Sequence, residues 1–308
     1  MSLWAMRRLA LESDDLMSKS LFMSGVSGFI GRYVAEEALK RGYQVTGMDR
    51  NEPHVVGAEI EFIQADVRDR DAITQIMKGK EYVIHLAAVT SNLEFEKNPT
   101  DCNDTNVGGF VNVVDAAAKS GCKKVIYASS AAVYRDVFAE GAVIDFRKQD
   151  NHYAKSKIIN EMMAKSYMDI YGLSTVGLRY FNVYGKGENE KGDYASIVSL
   201  FLRAKSEGAA LVVYGDGKQA RDLINVVDAA RITLDLLERG SYDVYNVGTG
   251  VATPYGQIAE MIDEHIRYVP NPLSSYQYYT RADTGRLRET LDNYQCRQLE
   301  QGVREMES

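Results

Sequence analysis

The sequence predicts an α/β protein, built as a Rossmann-type doubly wound parallel sheet with a smaller C-terminal α/β lobe. Three observations carry this prediction. Short apolar runs alternate with longer helical patterns through the first half, a glycine-rich turn follows the first run, and the texture changes after Phe181. At 308 residues the chain is long enough for one large domain or two closely packed ones.

Six apolar runs of the first half predict strands. They lie at 21–25, 43–49, 60–66, 82–88, 123–130 and 174–181. Most are rich in Val, Ile and aromatic residues and lack strict alternation, as expected of strands buried on both faces. Helical patterns between them lie at 30–41, 72–78, 105–119 and 153–171. Strand–helix alternation of this length indicates a parallel sheet with right-handed crossovers.

The second half predicts a different, smaller unit. Helices are expected near 194–206, 227–237 and 255–264, and short strands near 211–215 and 243–248. We therefore expect a nucleotide-binding Rossmann domain over 21–180, with a later return of the chain near 225–250. The smaller lobe spans 181–308, and residues 1–20 form an N-terminal arm ahead of the first strand.

Composition excludes several classes of partner. The net charge of −7 and the pI of about 5.3 leave no basic stripe for nucleic acid or an anionic membrane. No apolar run is long enough to cross a bilayer. Cys102, Cys122 and Cys296 are odd in number and widely spaced, which predicts reduced thiols in a cytoplasmic protein. The histidines form no metal-ligand cluster, so no metal is expected.

The turn after the first strand has the pattern of a dinucleotide-binding loop. Gly25, Gly28 and Gly31 allow a tight turn, close approach of a pyrophosphate, and close packing of helix on strand. Asp49 ends the second strand, where a carboxylate accepts hydrogen bonds from the adenosine ribose and repels a 2′-phosphate. These residues favour NAD over NADP, although neighbouring Arg50 is able to neutralise such a phosphate.

Two further strand ends are expected at the same cleft. Asp66 and Val67 end the third strand, where they are placed to hold the adenine edge. For Asp66 the alternative of capping the next helix has equal weight. The run HLAA ends the fourth strand with Leu86, Ala87 and Ala88 beside the expected pyrophosphate.

The sequence NHYAKSK places Tyr153 four residues before Lys157, on one face of a helix. Such pairs are common, and the lysine stem often only covers the ring. A lysine beside a phenol also stabilises the phenolate, which would lower the pKa of Tyr153 and make it a general base. Ser129 and Ser130 end the fifth strand, at the edge where parallel sheets bind ligands, and this favours the chemical interpretation.

Together these residues resemble the extended short-chain dehydrogenase/reductases, in the branch of the NAD-dependent nucleotide-sugar epimerases. The matching segments are SGVSGFIG (24–31), HLAA (85–88), TNVGG (105–109), SSAAVY (129–134), YAKSK (153–157), LRYFNVYG (178–185), YGDGKQARDLINVVD (214–228), YNVGTG (245–250) and YTRADTGRLRETL (279–291). The resemblance runs from about residue 21 to the end of the chain.

This resemblance implies an epimerase acting on a nucleotide-diphospho-sugar, with UDP-glucose or UDP-N-acetylglucosamine 4-epimerisation as the expected reaction. Tyr153 would take the proton of a sugar hydroxyl while NAD takes the hydride, which leaves a transient 4-keto sugar. Lys157 would bind the nicotinamide ribose, and Ser130 would hydrogen-bond the reacting oxygen. The implied cofactor contacts are Gly25, Gly28, Phe29, Ile30, Gly31, Asp49, Asp66, Val67, Leu86, Ala87, Ala88, Asn106, Tyr153, Lys157 and Tyr180.

The resemblance also implies a substrate lobe and a homodimer. Asn182 and Arg221 would bind the diphosphate, the arginine in two-pronged fashion, and Tyr279 and Asp283 would flank the nucleotide. Asp222 has a fold-stabilising role as an equal alternative. Helices 105–119 and 153–171 would pair across a two-fold axis.

Departures from the pattern leave alternatives open. Arg135 stands where the branch usually has glycine, and the segment 270–277 lacks an expected arginine that Arg281 would replace. Ala131 and Ala132 occupy the acidic pair of the dehydratases, and an alanine cannot protonate a leaving hydroxyl. A nucleotide-sugar reductase or a heptose-type 6-epimerase keeps the same residues. A non-catalytic NAD(P)-binding regulatory protein would be expected to lack one of Ser130, Tyr153 and Lys157.

Overall fold

The structure is a computed structural model that describes residues 19–52, 59–134, 144–188, 192, 195–272, 277–292 and 294–308. The predicted N-terminal arm lies outside these residues except for its last two positions, and Arg135 lies outside them as well.

The strands and helices follow one another along the chain in the order that the sequence predicts for the first half. The strands are β1 (Ser20–Ser24), β2 (Gln44–Asp49), β3 (Glu61–Gln64), β4 (Tyr82–His85), β5 (Lys124–Ser130), β6 (Thr175–Tyr180), β7 (Asn182–Tyr184), β8 (Leu211–Tyr214), β9 (Ala220–Asn225), β10 (Val244–Val247), β11 (Ala252–Pro254) and β12 (Ile266–Val269). The helices are α1 (Phe29–Lys40), α2 (Arg70–Ile76), α3 (Asn92–Lys97), α4 (Pro99–Asn103), α5 (Gly109–Lys119), α6 (His152–Tyr171), α7 (Ile197–Ser206), α8 (Val226–Arg239), α9 (Tyr255–Ile262), α10 (Gly285–Thr290) and α11 (Leu299–Glu307).

Seven parallel strands form the central sheet, in the order β10-β6-β5-β4-β1-β2-β3. The chain starts at β1 in the interior of the sheet, builds outward to β3, and then crosses to β4 on the other side. This reversal places the switch point between β1 and β4, where open α/β sheets bind their ligands. The predicted Rossmann-type fold is confirmed.

Two helical layers cover the sheet, and the sheet-facing side chains of each layer are buried. On one face α1 and α8 pack together, with Val34 and Ala229 inaccessible to solvent. On the other face α2, α5 and α6 pack together, with Phe110, Val113 and Ala164 in the core. Strands buried on both faces need no alternation, which is why their sequences read as continuous apolar runs.

The predicted helix over 105–119 is wrong in its first turn. Residues Asp104–Gly108 form a π-helical turn, and the α-helix begins only at Gly109. Buried Asn106 lies in this wider turn, where its side chain bonds to the loop after β4. Such a turn is not expected from apolar spacing, because that spacing reflects only the 3.6-residue period.

The second half forms a smaller unit against the carboxyl edge of the sheet. A three-stranded sheet has the order β11-β9-β7, and β8 pairs with β12. Tyr184, Phe201, Val213, Ile258 and Val303 lie in the core of this unit. β10 belongs to the central sheet instead, where it pairs with β6.

Three properties of the structure bear on the remaining expectations. All three cysteines are free thiols, and burial raises the pKa of both Cys122 and Cys296 to about 11. Met162, Ile170 and Tyr171 are exposed on α6, one of the helices expected to pair in a dimer, and the dimer stays a prediction. Within the described residues, every helix is too short or too polar for a transmembrane span.

Candidate active site

The three glycines of the turn after β1 have different roles. Gly25 has φ +76°, and an added Cβ there would lie 2.6 Å from Ala87 N. An added Cβ at Gly31 would lie 2.0 Å from the carbonyl oxygen of Gly25. At Gly28 the nearest atom is the same oxygen at 3.2 Å. Gly25 and Gly31 are therefore required by backbone packing, whereas Gly28 leaves space on the side of the ligand.

A cleft of about 700 Å³ opens beside this turn. It is lined by Gly25, Ser27, Gly28, Met48, Asp49, Arg50, Asn51, Glu52, Gln64, Ala65, Asp66, Val67, Leu86, Ala87, Ala88, Val89 and Thr105. Most of the predicted cofactor contacts are among these residues, and their backbones come from the carboxyl ends of β1, β2, β3 and β4. Phe29, Ile30 and Gly31 form the first turn of α1, whose amide end carries a partial positive charge suited to a phosphate.

Ser27, Gln64 and Thr105 are among the lining residues that lie outside the predicted cofactor contacts. Ser27 lies within the glycine pattern, so the motif itself could have indicated it. Gln64 and Thr105 come from β3 and from the π-helical turn. Thr105 begins the segment TNVGG, so that motif could have indicated it, whereas no motif marks Gln64 and only the folded chain brings Gln64 to the cleft.

Asp49 is held at the end of β2 by two backbone amides. Its carboxylate accepts hydrogen bonds from Ser27 N at 3.2 Å and from Asn51 N at 3.1 Å. The first bond ties the carboxylate directly to the glycine turn. Asp49 is thereby fixed at the cleft wall, where the sequence predicts the ribose hydroxyls.

Asp66 is bonded to Arg68 rather than to a helix. It accepts from Arg68 N at 2.9 Å and pairs with the guanidinium at 2.8 Å, and these contacts lower the pKa of its carboxyl. The N-cap of α2 is Asp69, which accepts from Ala72 N. The alternative that Asp66 caps the helix is therefore wrong, and Asp66 remains at the cleft wall.

The side chain of Asn106 is used entirely inside the fold. Its Oδ1 accepts from Val89 N at 2.7 Å, and its Nδ2 donates to Val89 O at 2.9 Å and to Ser156 Oγ at 3.2 Å. The residue is 1% exposed. The expected direct contact of this amide with a cofactor is not supported. Its contacts instead hold the loop after β4 against α6.

Ser130, Tyr153 and Lys157 come together at the carboxyl end of β5. Asn151 caps α6 by accepting from Ala154 N at 2.7 Å, so the helix starts with Tyr153 beside the strand end. The Ser130 side chain lies next to Tyr153, where it acts to lower the pKa of the phenol, and its Oγ accepts from Ala132 N at 3.1 Å. Lys157 Nζ donates to Ala128 O at 2.9 Å and lies 5.8 Å from the centre of the Tyr153 ring. The geometry brings together the three residues that the sequence predicts.

Burial dominates the ionisation of this site. It raises the pKa of Tyr153, and the Ser130 side chain only partly opposes this. Burial also lowers the pKa of Lys157 to about 8. The expectation that Lys157 lowers the pKa of Tyr153 is therefore wrong for the protein alone. The ammonium lies near the ring and donates to Ala128 O, so it does not stabilise the phenolate enough to offset desolvation.

The Ser129 side chain lies on the opposite face of β5 from that of Ser130 and belongs to a buried polar network. Its Oγ is 2.5 Å from Glu161 Oε1. Arg179 forms a two-pronged ion pair with Glu161 at 2.8 and 2.7 Å and donates to Tyr134 OH at 2.6 Å. This network fixes β5 and β6 to α6. Of the two serines that the sequence offered, the structure places only Ser130 at Tyr153.

The expected cofactor contact of the Tyr180 side chain is not supported. Its hydroxyl lies 2.6 Å from Thr233 Oγ1 of α8, in the core on the face of the sheet opposite α6. The side chain therefore points away from Lys157. Only the backbone of Tyr180, paired with Ser130 at the end of β6, reaches the carboxyl edge.

The predicted substrate residues lie in the smaller unit. Asn182 donates to Asp222 O at 3.0 Å, and the guanidinium of Arg221 lies 5.6 Å from the Tyr255 ring. Tyr279 is half-exposed, and exposed Asp283 accepts from Gly285 N at 3.1 Å. The substrate-binding roles of these four residues stay predictions.

Asp222 has the fold-stabilising role that was its alternative. Its buried carboxylate accepts from Thr249 N and Thr249 Oγ1, from Gly250 N and from Ala282 N, at 2.7 to 3.0 Å. These bonds join β9 to the loops after β10 and before α10. Burial still raises the pKa of this carboxyl, because desolvation outweighs the four hydrogen bonds.

Comparison with known proteins agrees with this geometry. Residues 21–248 match the model of the NAD dependent epimerase/dehydratase family. A putative UDP-glucose 4-epimerase of Methanocaldococcus jannaschii is 30% identical over 259 residues, which cover 80% of this chain and 83% of the relative. An ADP-L-glycero-D-manno-heptose-6-epimerase of Alkalilimnicola ehrlichii is 30% identical over 311 residues, covering 92% and 95%.

A solved structure shows the same architecture over nearly the whole chain. The UDP-N-acetylglucosamine 4-epimerase of Methanobrevibacter ruminantium, in complex with UDP-N-acetylmuramic acid, superposes with a TM-score of 0.82 at 28% identity. The similarity covers 94% of this chain and 97% of the other.

Proposed function

Because the chain belongs to the NAD dependent epimerase/dehydratase family, we propose that it is an NAD-dependent 4-epimerase of UDP-glucose or UDP-N-acetylglucosamine. The observation that carries this proposal is the cluster at the end of β5, where the Ser130 side chain lies next to Tyr153 and Lys157 Nζ lies 5.8 Å from the centre of the Tyr153 ring. A 4-epimerase must remove and return one proton at a single oxygen, and this cluster offers a base with two supporting groups.

The residues of the cleft fit NAD, which is the cofactor of the family. Close approach of a pyrophosphate requires a backbone without Cβ atoms, and a side chain at Gly28 would occupy that space. Asp49 would hold the adenosine ribose, and the first turn of α1 would hold the pyrophosphate. When bound, NAD supplies the hydride acceptor and a positive charge on its nicotinamide ring.

The chain's own residues would handle the proton. Tyr153 would accept the proton of the sugar 4-hydroxyl at its phenol oxygen. It would return the proton after the 4-keto sugar has rotated to present its other face. Ser130 would donate a hydrogen bond to the reacting oxygen at C4 of the sugar. The charge of Lys157 would favour the phenolate but does not by itself offset desolvation, and its Nζ donates to Ala128 O. The cationic cofactor would add to the effect of Lys157, because both favour the phenolate.

The second candidate is a 6-epimerase of a nucleotide-linked heptose or a nucleotide-sugar reductase. The heptose-6-epimerase of A. ehrlichii covers 92% of this chain at an identity equal to that of the 4-epimerase relative. Both reactions use the same three side chains. Dehydration is not supported, because Ala131 and Ala132 follow Ser130 and offer no acid.

The test is direct incubation of the purified protein with nucleotide sugars. We expect UDP-glucose to give UDP-galactose, or UDP-N-acetylglucosamine to give UDP-N-acetylgalactosamine, with no net consumption of added NAD. Proton NMR follows the change at C4 without a coupling enzyme. Turnover of an ADP-heptose instead, or a stoichiometric demand for a reduced nicotinamide, would replace this proposal by the second candidate.

Asp49 offers a test of cofactor choice. Asp49→Asn removes the negative charge at the ribose, so we expect NAD to bind about tenfold more weakly, because hydrogen bonds to charged groups are worth about 1.5–3 kcal/mol. NADP should bind better, because the repulsion of its 2′-phosphate is gone. Binding of both nucleotides is measured by calorimetry. Glu52→Gln, a matched charge change at the cleft rim, should alter the NAD/NADP ratio little.

A further inference from the structure

Asn160 is a buried amide without a partner among the described residues. It lies in the middle of α6 and is 1% exposed, yet neither Nδ2 nor Oδ1 has a hydrogen bond. Burying such a group unbonded costs about 1–3 kcal/mol, so buried amides nearly always bind a side chain, the backbone or an internal water. Because the described chain offers no partner, an internal water is the partner small enough for this buried position.

His85 has a similar unpaired atom. It ends β4 and is 2% exposed, and its Nδ1 lies 2.7 Å from Ser24 Oγ. Its Nε2 has no partner in the described part of the chain. Burial and the charge of Lys157 lower the pKa of His85 to about 3, so the ring is neutral. A neutral ring has one nitrogen that donates and one that accepts, and one of these remains unused.

Both groups face the same buried layer. The His85 ring packs 5.6 Å from Phe110 of α5, so it lies on the face of the sheet covered by α5 and α6. On α6, Asn160 follows Ser156 by one turn and Lys157 by three residues, which puts the three side chains on one face. Ser156 is bonded to Asn106 and Lys157 to Ala128 O, so this face of α6 is directed at the π-helical turn and at β5, and Asn160 continues it by one turn.

We propose that Asn160 and His85 hold internal water behind Lys157, and that this water accepts a hydrogen bond from the Lys157 ammonium. An internal water makes about three hydrogen bonds. The ammonium, the Asn160 amide and His85 Nε2 supply that number. An ammonium has three donors, of which one is bonded to Ala128 O. The water would give it a second acceptor on the side away from the cleft.

In this arrangement Asn160 is a positioning residue that acts through Lys157. Burial alone already lowers the pKa of Lys157 to about 8. Tyr153 on its own helix and neutral His85 on β4 lie near the ammonium, and neither carries a negative charge. Glu161, one turn further along the helix, is paired with Arg179. An extra acceptor favours the charged form, so it would raise the pKa of Lys157 and increase the protonated fraction at neutral pH. The importance of this ammonium for turnover rests on the proposed function.

The test measures the ionisation of Lys157 directly. Asn160→Leu replaces the amide by an apolar group of similar size and should release the water. We expect the pKa of Lys157 to fall by about one unit, a tenfold change in its ionisation constant. NMR of protein labelled at the lysine ε-carbon follows this titration, and Lys157→Arg assigns the signal. Met162→Leu, at an exposed position of the same helix, should leave the titration unchanged.

Two results would overturn the proposal. One is an unchanged Lys157 titration in Asn160→Leu. The other is a high-resolution crystal structure of the unaltered protein with no water between Asn160 and His85, and that experiment does not depend on the variant folding. Neither readout needs a substrate, so a protein that turns over no nucleotide sugar would refute the proposed function and leave this inference standing.

Discussion

Tyr153→Phe lowers the rate of nucleotide-sugar turnover by about a thousandfold, which lies within the range of about 10²–10⁴ that a general base contributes. The ring, its packing against Phe95 at 6.2 Å and the helix start all remain, because only one oxygen is lost. What disappears is the phenol oxygen, which is the atom that would take the sugar proton. We therefore expect the loss in kcat rather than in the affinity for NAD.

Turnover is measured by NMR at C4 of the sugar, and NAD affinity by calorimetry on the same samples. Tyr171→Phe is the matched control, because it removes a phenol oxygen from an exposed residue of the same helix. It should retain full activity. An undiminished rate in Tyr153→Phe would remove this residue from the mechanism and, with it, the proposed role of the Ser130–Tyr153–Lys157 cluster.

Gly31→Ala prevents the glycine turn from packing and abolishes cofactor binding. The added Cβ would lie 2.0 Å from the carbonyl oxygen of Gly25. The backbone of α1 fixes the position of the Cβ, and the oxygen belongs to the backbone of the turn, so neither can rotate away. We expect a loss of more than about 3 kcal/mol in the free energy of unfolding, at the upper end of overpacking effects. Thermal melts with and without NAD measure it.

Alanine substitutions at two further glycines separate the effect of steric clash in Gly31→Ala from the effects of backbone strain and of lost ligand space. Gly42 has φ +79° but nothing within 4 Å of an added Cβ, so Gly42→Ala should cost only about 1–2 kcal/mol of backbone strain. Gly28→Ala should melt close to the unaltered protein but bind NAD at least tenfold more weakly, because its methyl group enters the pyrophosphate space. Normal NAD binding by Gly31→Ala would contradict the geometry of the turn.

The central sheet and the cleft could be predicted because their signals are local. Continuous apolar runs mark strands that are covered on both faces, and the spacing of Gly25, Gly28 and Gly31 reflects a turn made within a few residues. The strands of the smaller unit were harder to predict from the sequence. Strands β7, β9, β11 and β12 have three to six residues each, and their pairing partners are distant in the chain. Helices α3 and α4 were not predicted because they are also short, with six and five residues.

The choice between similar side chains depended on which face of an element each one occupies. Ser129 and Ser130 are adjacent, but successive residues of a strand point to opposite sides, so one meets Glu161 and the other meets Tyr153. Asp66 and Asp69 are likewise close in sequence, and only Asp69 caps a helix. Their amino-acid types do not distinguish them, because both members of each pair carry the same functional group.

By itself the sequence determined the fold class, the glycine turn and the identity of the three residues at the end of β5, because each follows from a local pattern of backbone and side-chain chemistry. The tertiary structure alone decided the ionisation and the supporting contacts. Burial sets the pKa of Tyr153 and Lys157, and it leaves Asn160 and His85 without partners in the described chain. Desolvation depends on every element packed around a group, and those elements are far apart in the chain.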